Sequence, residues 1–522
     1  MNRSLLTQLY WVIPGVFVVF GLALLFYQNY LNVTEPPEKD WSRALFVGQT
    51  DVNKLPPIKE MENGDFAIAR YEDEKLASTI LSKDFVVKEK KTYDIPVDKW
   101  TQIYMKEDTI IYFKSKNIYD KNKNEMIPDV ERFYPLDSTI LYIKENVLYQ
   151  LIPETWKSKA IMDIDLNKLD ITPQENKDGI HILVYTRVLN GVDITLNQLN
   201  KGEMKTIYQS NIPVDPGKVV NEISFTFNGQ KLALLLQEEL EQTQGKPEFF
   251  NYFMETTVTS QGSQPLYELT FQDPAGTNNL TEVSDVILNF SKGKSTLLFQ
   301  ANGLTKTQYN DNTTFNIYKA EINENGIIKT ERRSNTPAIS TNPQWVNEET
   351  IAWLDLNPDG NQINISSGDL DTINQLQEFN QDDWLRALGK TLGMVTSAFF
   401  AILISFVWFI WPILFIMFLY IFRSRIIDHD PTWIFYTGVG IYALAAFVWK
   451  DQFFVNNIYT NAPEYLTFNG SSYVYMFMFA IIALWLTMLT KRVNEWNGTL
   501  RVMYFVGTHI LLLTAFFGPY VI

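Results

Sequence analysis

The chain has 522 residues, with 44 Lys and Arg against 59 Asp and Glu and no cysteine. That length exceeds what one hydrophobic core organises, so at least two structural units are expected. The missing cysteine excludes disulfides, thiol nucleophiles, thiolate-bound metals and iron–sulfur clusters together.

Charge is unevenly spread. Nine of the basic and five of the acidic residues lie outside residues 31–385, so that interval holds 35 and 54, a formal charge of −19. Such a surface repels nucleic acid and anionic polymers and favours cations or basic partners. A large extracytoplasmic domain without disulfides must be held by its own core, which fits a bacterial envelope protein. On that reading Asn279-Leu280-Thr281 and Asn312-Thr313-Thr314 are polar loops rather than glycan acceptors.

The first element is Trp11–Tyr27, uncharged and, with its flanks, long enough to cross about 30 Å of hydrocarbon. No small-residue A-x-A-like pattern follows it, so residues 1–30 are expected to form an uncut transmembrane anchor rather than a signal peptide.

Residues 31–368 alternate with period two between Gly, Asn and Asp turns, the pattern of strands. A unit recurs in which an apolar strand, a polar turn and a more continuous apolar strand follow one another. Its clearest copies run from Ile223 to Leu235, from Ile287 to Phe299 and from Pro343 to Trp353. Weaker copies centre on Asn63-Gly64, Glu107-Asp108, Asp137-Ser138 and Asp178-Gly179. Seven turns at this spacing predict an all-β propeller of about seven blades, with six or eight allowed and a β-sandwich pair as the rival. The repeat resembles the TolB-type, WD40-like propeller unit, aromatic-Ser-Pro-Asp-Gly-Lys-x-Ile/Leu-Ala-Phe, although its Pro is missing from the three clear copies and its Gly from the third. The resemblance implies the fold of this region and nothing about the membrane helices.

Residues 369–390 lose the strand pattern and read as a linker with a juxtamembrane helix carrying Trp384, Leu385 and Leu388. Residues 391–522 are expected to form a four-helix transmembrane region: Leu392–Phe422, bent at Pro412 or entering along the interface, then Trp433–Trp449, Tyr473–Thr490 and Val502–Ile522. Threading five spans in order puts Arg3, Arg423, Arg425, Lys491, Arg492 and Arg501 on one side. The N-terminus is then cytoplasmic, with the large domain and the C-terminus outside the cell membrane.

Candidate sites are few. Asp355, Asn357 and Asp359 within Asp-Leu-Asn-Pro-Asp-Gly match the opening of a calcium loop, but position twelve would be Ser366 and the same residues make an ordinary hairpin turn. Asp163, Asp165 and Asn167 could gather a cation, although a solvated face is the plainer reading. His181 falls in a core strand, His429 in a loop, and His509 inside a span, where an ionisable group is by default a functional hypothesis. The predicted spans hold no Asp, Glu, Lys or Arg in their apolar cores, and G-x-S-x-G, H-E-x-x-H and Walker-type loops are missing. No enzymatic role, no nucleic-acid partner and no cofactor beyond calcium are therefore expected. The expected function is binding of a protein or cell-envelope ligand by the propeller while the helices dock a membrane partner. The rival is a channel, transporter or lipid-handling subunit working through His509 and the Gly438-x-Gly440 face.

Overall fold

The computed structural model describes residues 3–106, 109–189, 191–200, 202–240, 249–259, 266–304, 313–323, 326–336, 338–358, 360–377, 381–493 and 496–521. They fall into two compact units, one built from Pro36–Thr305 and Thr313–Gln377, the other chiefly from Met1–Glu35 and Glu378–Ile522.

The first unit is a seven-bladed β-propeller: seven antiparallel sheets of four strands each. Blade 1 comprises Ile58–Glu60, Phe66–Glu72, Lys75–Leu81 and Val87–Pro96, ordered from the axis outwards. Blades 2 to 6 follow over residues 102–127, 132–163, 170–213, 218–268 and 281–332. Local chemistry explains the hairpins. Between the second and third strands of blades 1 to 3, Asp73-Glu74, Ser115-Lys116 and Glu145-Asn146 all take positive φ at both central positions, the backbone of a turn whose twist matches paired strands. The copy that lacks its glycine closes differently, with the Val346 amide donating to Thr350 and the Asn347 carboxamide accepting from the Glu349 amide.

Period-two alternation with both faces apolar makes each blade a slab that must be covered twice. Neighbouring blades do this through their own clusters, the largest between blades 4 and 5 around Leu183, Leu196, Phe225 and Leu234. The ring closes on blade 7, whose strands Ile339–Trp345, Thr350–Leu356 and Asn361–Ser367 are joined by Leu45–Thr50 from the other end of the unit. Trp41 anchors that strand: it is 6% exposed, donates from Nε1 to Ser366 Oγ at 2.7 Å, and lies 4.3 Å under the Arg333 guanidinium. The Ser42 amide donates to the Ser367 carbonyl at 2.8 Å. Because Ser367 pairs with Thr350, just past the turn joining the first two strands of blade 7, the chain enters and leaves the propeller on one face.

The second unit is helical: α1 (Arg3–Val33), then, after the short propeller-bound α2 (Leu370–Gln377), α3 (Gln381–Ile404), α4 (Phe406–Phe422), α5 (Ser424–Asp428), α6 (Thr432–Val448), α7 (Lys450–Phe453), α8 (Asn456–Asn461), α9 (Glu464–Thr467), α10 (Ser471–Val493) and α11 (Gly498–Phe517). Four stretches, Tyr10–Val33, Asp383–Ile404, Ser471–Thr490 and Gly498–Tyr520, are long and apolar enough to cross a membrane, and α4 and α6 are shorter apolar helices of 17 residues. α1 and α11 run parallel, since the Tyr504 hydroxyl donates to the Tyr10 carbonyl and Gly21 packs on Ala515. α4 and α6 run antiparallel, with Trp411 stacked on Trp449 and Phe415 against Trp433.

The expected segment Leu392–Phe422 is two helices, and the interruption is not at Pro412, which lies buried inside α4. It falls at Ser405, whose hydroxyl and amide both donate to the Ala401 carbonyl, at 2.7 and 3.0 Å. Such back-bonding competes with the regular ladder and bends helices. α3 packs on α1 and on the end of α11: Trp384 packs on Phe26, Asn29 donates to Thr391, and Ala398 lies against Gly518.

Replacing Trp41 with Ala removes a buried indole, its hydrogen bond and the Arg333 stack, so a loss of about 3–5 kcal/mol in propeller stability is expected. Thermal unfolding of the full-length protein in detergent, followed by its β-sheet circular dichroism, measures this. A shift within error of wild type would remove the closing segment from the stability of the ring.

Candidate functional site

The sequence-predicted positions are largely structural. Asp355 is 2% exposed at the end of the second strand of blade 7. Its Oδ1 accepts from Ser340 Oγ and Trp353 Nε1, each at 2.8 Å, and its Oδ2 from Asn364 Nδ2 at 2.8 Å. Burial pushes its carboxyl above the usual range, against the opposing hydrogen bonds from Ser340, Thr336 and Trp353. The carboxylate thus faces inward to tie three strands of blade 7 together, while Asn357 lies half-buried past the strand end. Asp359 lies outside the described residues, as do Glu107 and Asp108. No group of three His, Cys, Asp or Glu placed to hold a metal occurs among the described residues. Asp165 caps its own turn, accepting from the Asn167 amide, which with Lys168 holds its carboxyl below the usual range.

The three histidines sit in three different settings. His429 is exposed, its Nδ1 2.7 Å from the Arg425 carbonyl. His509 is buried among α6, α10 and α11, with Nδ1 2.7 Å from the Tyr442 hydroxyl and Nε2 3.0 Å from the Met476 carbonyl. A carbonyl only accepts, so Nε2 carries the proton and Nδ1 accepts from Tyr442. Gly438 lets α6 approach Val502 of α11, whereas a Cβ at Gly440 would meet open space. His181 is fully buried against Phe227 of blade 5. Burial pushes this imidazole below its ordinary range, the nearby Asp178 opposing only in part.

A large recess of the propeller was not apparent from motifs. It is a cleft of about 930 Å³ between blades 1 and 2, continuous with the inner strands of blades 3 and 7. Its origin is legible in the side chains. The second strand of blade 3 turns Leu141 and Ile143 into the cluster it shares with blade 4. The matching positions of blade 1 are Ala67 and Ala69, facing Ser78 and Ile80 on the next strand. Aromatic and aliphatic residues, Tyr71, Leu76, Ile95 and Ile103, still pack blades 1 and 2 together at one end. At the other end the small side chains leave a floor without a cover.

Charge and hydrogen bonding line the walls. Lys59 reaches across to Asp137 of blade 3 at 2.9 Å and lies 5.7 Å from the Tyr104 ring centre. Glu89 pairs with Lys91 at 3.0 Å on the outer rim. Asn347 donates to Glu60 at 2.7 Å, and Gln344 to the Ile58 carbonyl at 3.1 Å. Trp345 and Met105 add apolar surface. Burial, reinforced by Glu154, Glu175 and Asp137, pushes the Tyr104 phenol up to about 12, so it stays a neutral hydroxyl near the cleft. Ion pairs this exposed are worth only about 0–1 kcal/mol, so a bound group can rearrange them at small cost.

Two outcomes test the structural roles. Asp355→Ala leaves three inward donors without their acceptor and is expected to cost roughly 2–4 kcal/mol, read by thermal unfolding. His181 binds its proton more weakly folded than unfolded, so its contribution to stability is full above the ordinary imidazole range and is lost as pH falls towards the folded value. Unfolding midpoints measured from pH 7.5 to 5 should fall in wild type and flatten in His181→Phe; parallel curves would assign the acid sensitivity to other groups.

No known protein-family model matches the chain, and no curated protein matches it. Similar solved structures include the N-terminal domain of Nup159 (12% identity, covering 64% of this chain and 97% of that one, TM-score 0.36). They also include the β-propeller domain of the Trilobed protease from Pyrococcus furiosus (9% identity, 62% and 82%, TM-score 0.30) and TolB from Acinetobacter baumannii (10% identity, 58% and 79%, TM-score 0.28). The propeller assignment rests on the seven closed sheets of this chain, in keeping with the TolB-like, WD40-like repeat of its sequence.

Proposed function

We propose that this chain is a multi-pass membrane protein whose extracytoplasmic propeller binds a protein or cell-envelope ligand in the cleft between blades 1 and 2, while its helices dock a membrane partner. The cleft carries the reading. Its volume of about 930 Å³ is at the upper end of ordinary ligand sites, and its walls mix apolar surface with Lys, Glu, Asn and Gln side chains that can orient a polar chain.

The helices support a membrane setting. Trp11, Val16, Phe20, Phe399, Phe418, Phe447 and Phe477 are all more than half exposed, a cost in water and none in lipid. The parallel α1 and α11 agree with an odd number of crossings between them, counted with the antiparallel α4 and α6, and the basic Arg423 and Arg425 favour a cytoplasmic side there. The hydrogen bonds that satisfy His509 favour packing over a transport role for that residue.

The reading is tested with a photoreactive benzoylphenylalanine placed at Glu62 or Lys106 in the cleft, or at Lys157 on the outer strand of blade 3, in cells that make the protein. Cleft positions should give a discrete crosslinked product that the Lys157 position lacks, and Ala67→Leu should reduce its yield about tenfold by filling the floor. No product, or equal products at all three positions, would sink the assignment.

A further inference from the structure

Blade 1 has a second recess on its opposite side, towards blade 7. It measures about 250 Å³ and lies between the closing strand, at Phe46–Gln49, and Leu81, Phe85 and Val87 of blade 1. A bulge opens it: the pairing of the closing strand with blade 7 runs Phe46 to Asn364 and then Gly48 to Ile363, leaving Val47 unmatched. Glycine at position 48 is required by what passes beneath, since a Cβ there would lie 2.5 Å from Arg70 Cδ.

Arg70 reaches into this recess while only 8% exposed. Its Nη1 donates to Glu72, but its Nε is buried and has no acceptor among the described residues. Thr79, 1% exposed on the same side of the sheet, likewise has an unpartnered Oγ1. Lys90, in register with Thr79, lines the recess and makes no ion pair among the described residues. A guanidinium N–H held away from water without an acceptor is unfavourable, and the group that removes the cost is an anion. One of the two cations is already partly neutralised by Glu72, so a monoanion balances the charge, whereas a dianion would leave the site net negative. Beside Gln49 and Glu72, the rest of the wall is Phe46, Val47, Leu81, Phe85 and Val87.

We propose that this recess binds a carboxylate bearing a short apolar group, its oxygens accepting from the Arg70 guanidinium and Lys90 Nζ and its apolar part resting on Leu81, Phe85 and Val87. A free organic acid and the C-terminus of a peptide both carry that chemistry. The volume suits a few heavy atoms and excludes a folded partner.

The test is calorimetric titration of the full-length protein in detergent at constant ionic strength, with butyrate, with acetyl-Ala-Leu and with its C-terminal amide. Saturable binding of either acid, with none of the amide, is expected; butyrate alone would identify a free acid and the peptide acid alone a chain terminus. Lys90→Gln should weaken binding about tenfold and Val87→Trp, at the exposed rim, should abolish it. Both substitutions lie on an exposed strand, so they keep the test valid where Arg70→Gln fails to fold. Absence of saturable binding by either acid, equal binding of acid and amide, or unchanged affinity in Val87→Trp would overturn the proposal.

Discussion

The propeller depends on one pairing, that of Leu45–Thr50 with Asn361–Ser367. Each blade has two apolar faces, and a row of such slabs leaves two of them bare unless the row becomes a ring. Here the last blade is completed by a strand from the far end of the unit, so the ring cannot open without breaking a ladder of backbone hydrogen bonds. Trp41 adds side-chain chemistry to that ladder through Ser366, 325 residues away, and through Arg333. Contacts so distant in sequence form only after the intervening chain has been ordered, which makes closure a late event in folding.

Closure also shapes the neighbourhood of blade 1. That blade must meet a complete sheet on one side and, on the other, a sheet whose outermost strand has been supplied from elsewhere. Towards blade 2 it presents alanines and a serine, and a cleft results; towards blade 7 the closing strand bulges over Arg70, and a recess results. The cleft and the recess thus both flank the blade beside the seam. Elsewhere the blades are joined by apolar clusters such as that between blades 5 and 6, where Phe271, Phe299 and Tyr318 pack in line.

The helical unit follows a different constraint. A buried polar group is costly unless it is hydrogen-bonded, and several buried polar side chains here are tied to specific partners. Asn29 joins α1 to Thr391 of α3, and His509 joins α11 to Tyr442 of α6 and to the Met476 backbone of α10. These bonds set which helices touch. Close approach at Gly21 and Gly438 then sets how near they come.

Much of this was legible in the chain. Period-two alternation and recurring turns determined a ring of four-stranded blades, because a sheet buried on both faces requires that pattern, and long uncharged stretches determined helices apolar enough to cross a membrane. Asp355 shows where reading stopped. Its spacing to Asn357 resembles a cation loop, yet its direction depends on Ser340 and Asn364 from other strands of the sheet, which no local pattern reports. The break at Ser405 was likewise hidden behind the more conspicuous Pro412. The Ala67-Ile68-Ala69 run was visible as a change from the aliphatic strands of other blades, but a small residue becomes a cavity only when the facing blade is too far away to fill it. That distance, and the burial of Arg70 beneath a glycine of the closing strand, were decided by ring closure, which no stretch of sequence contains by itself.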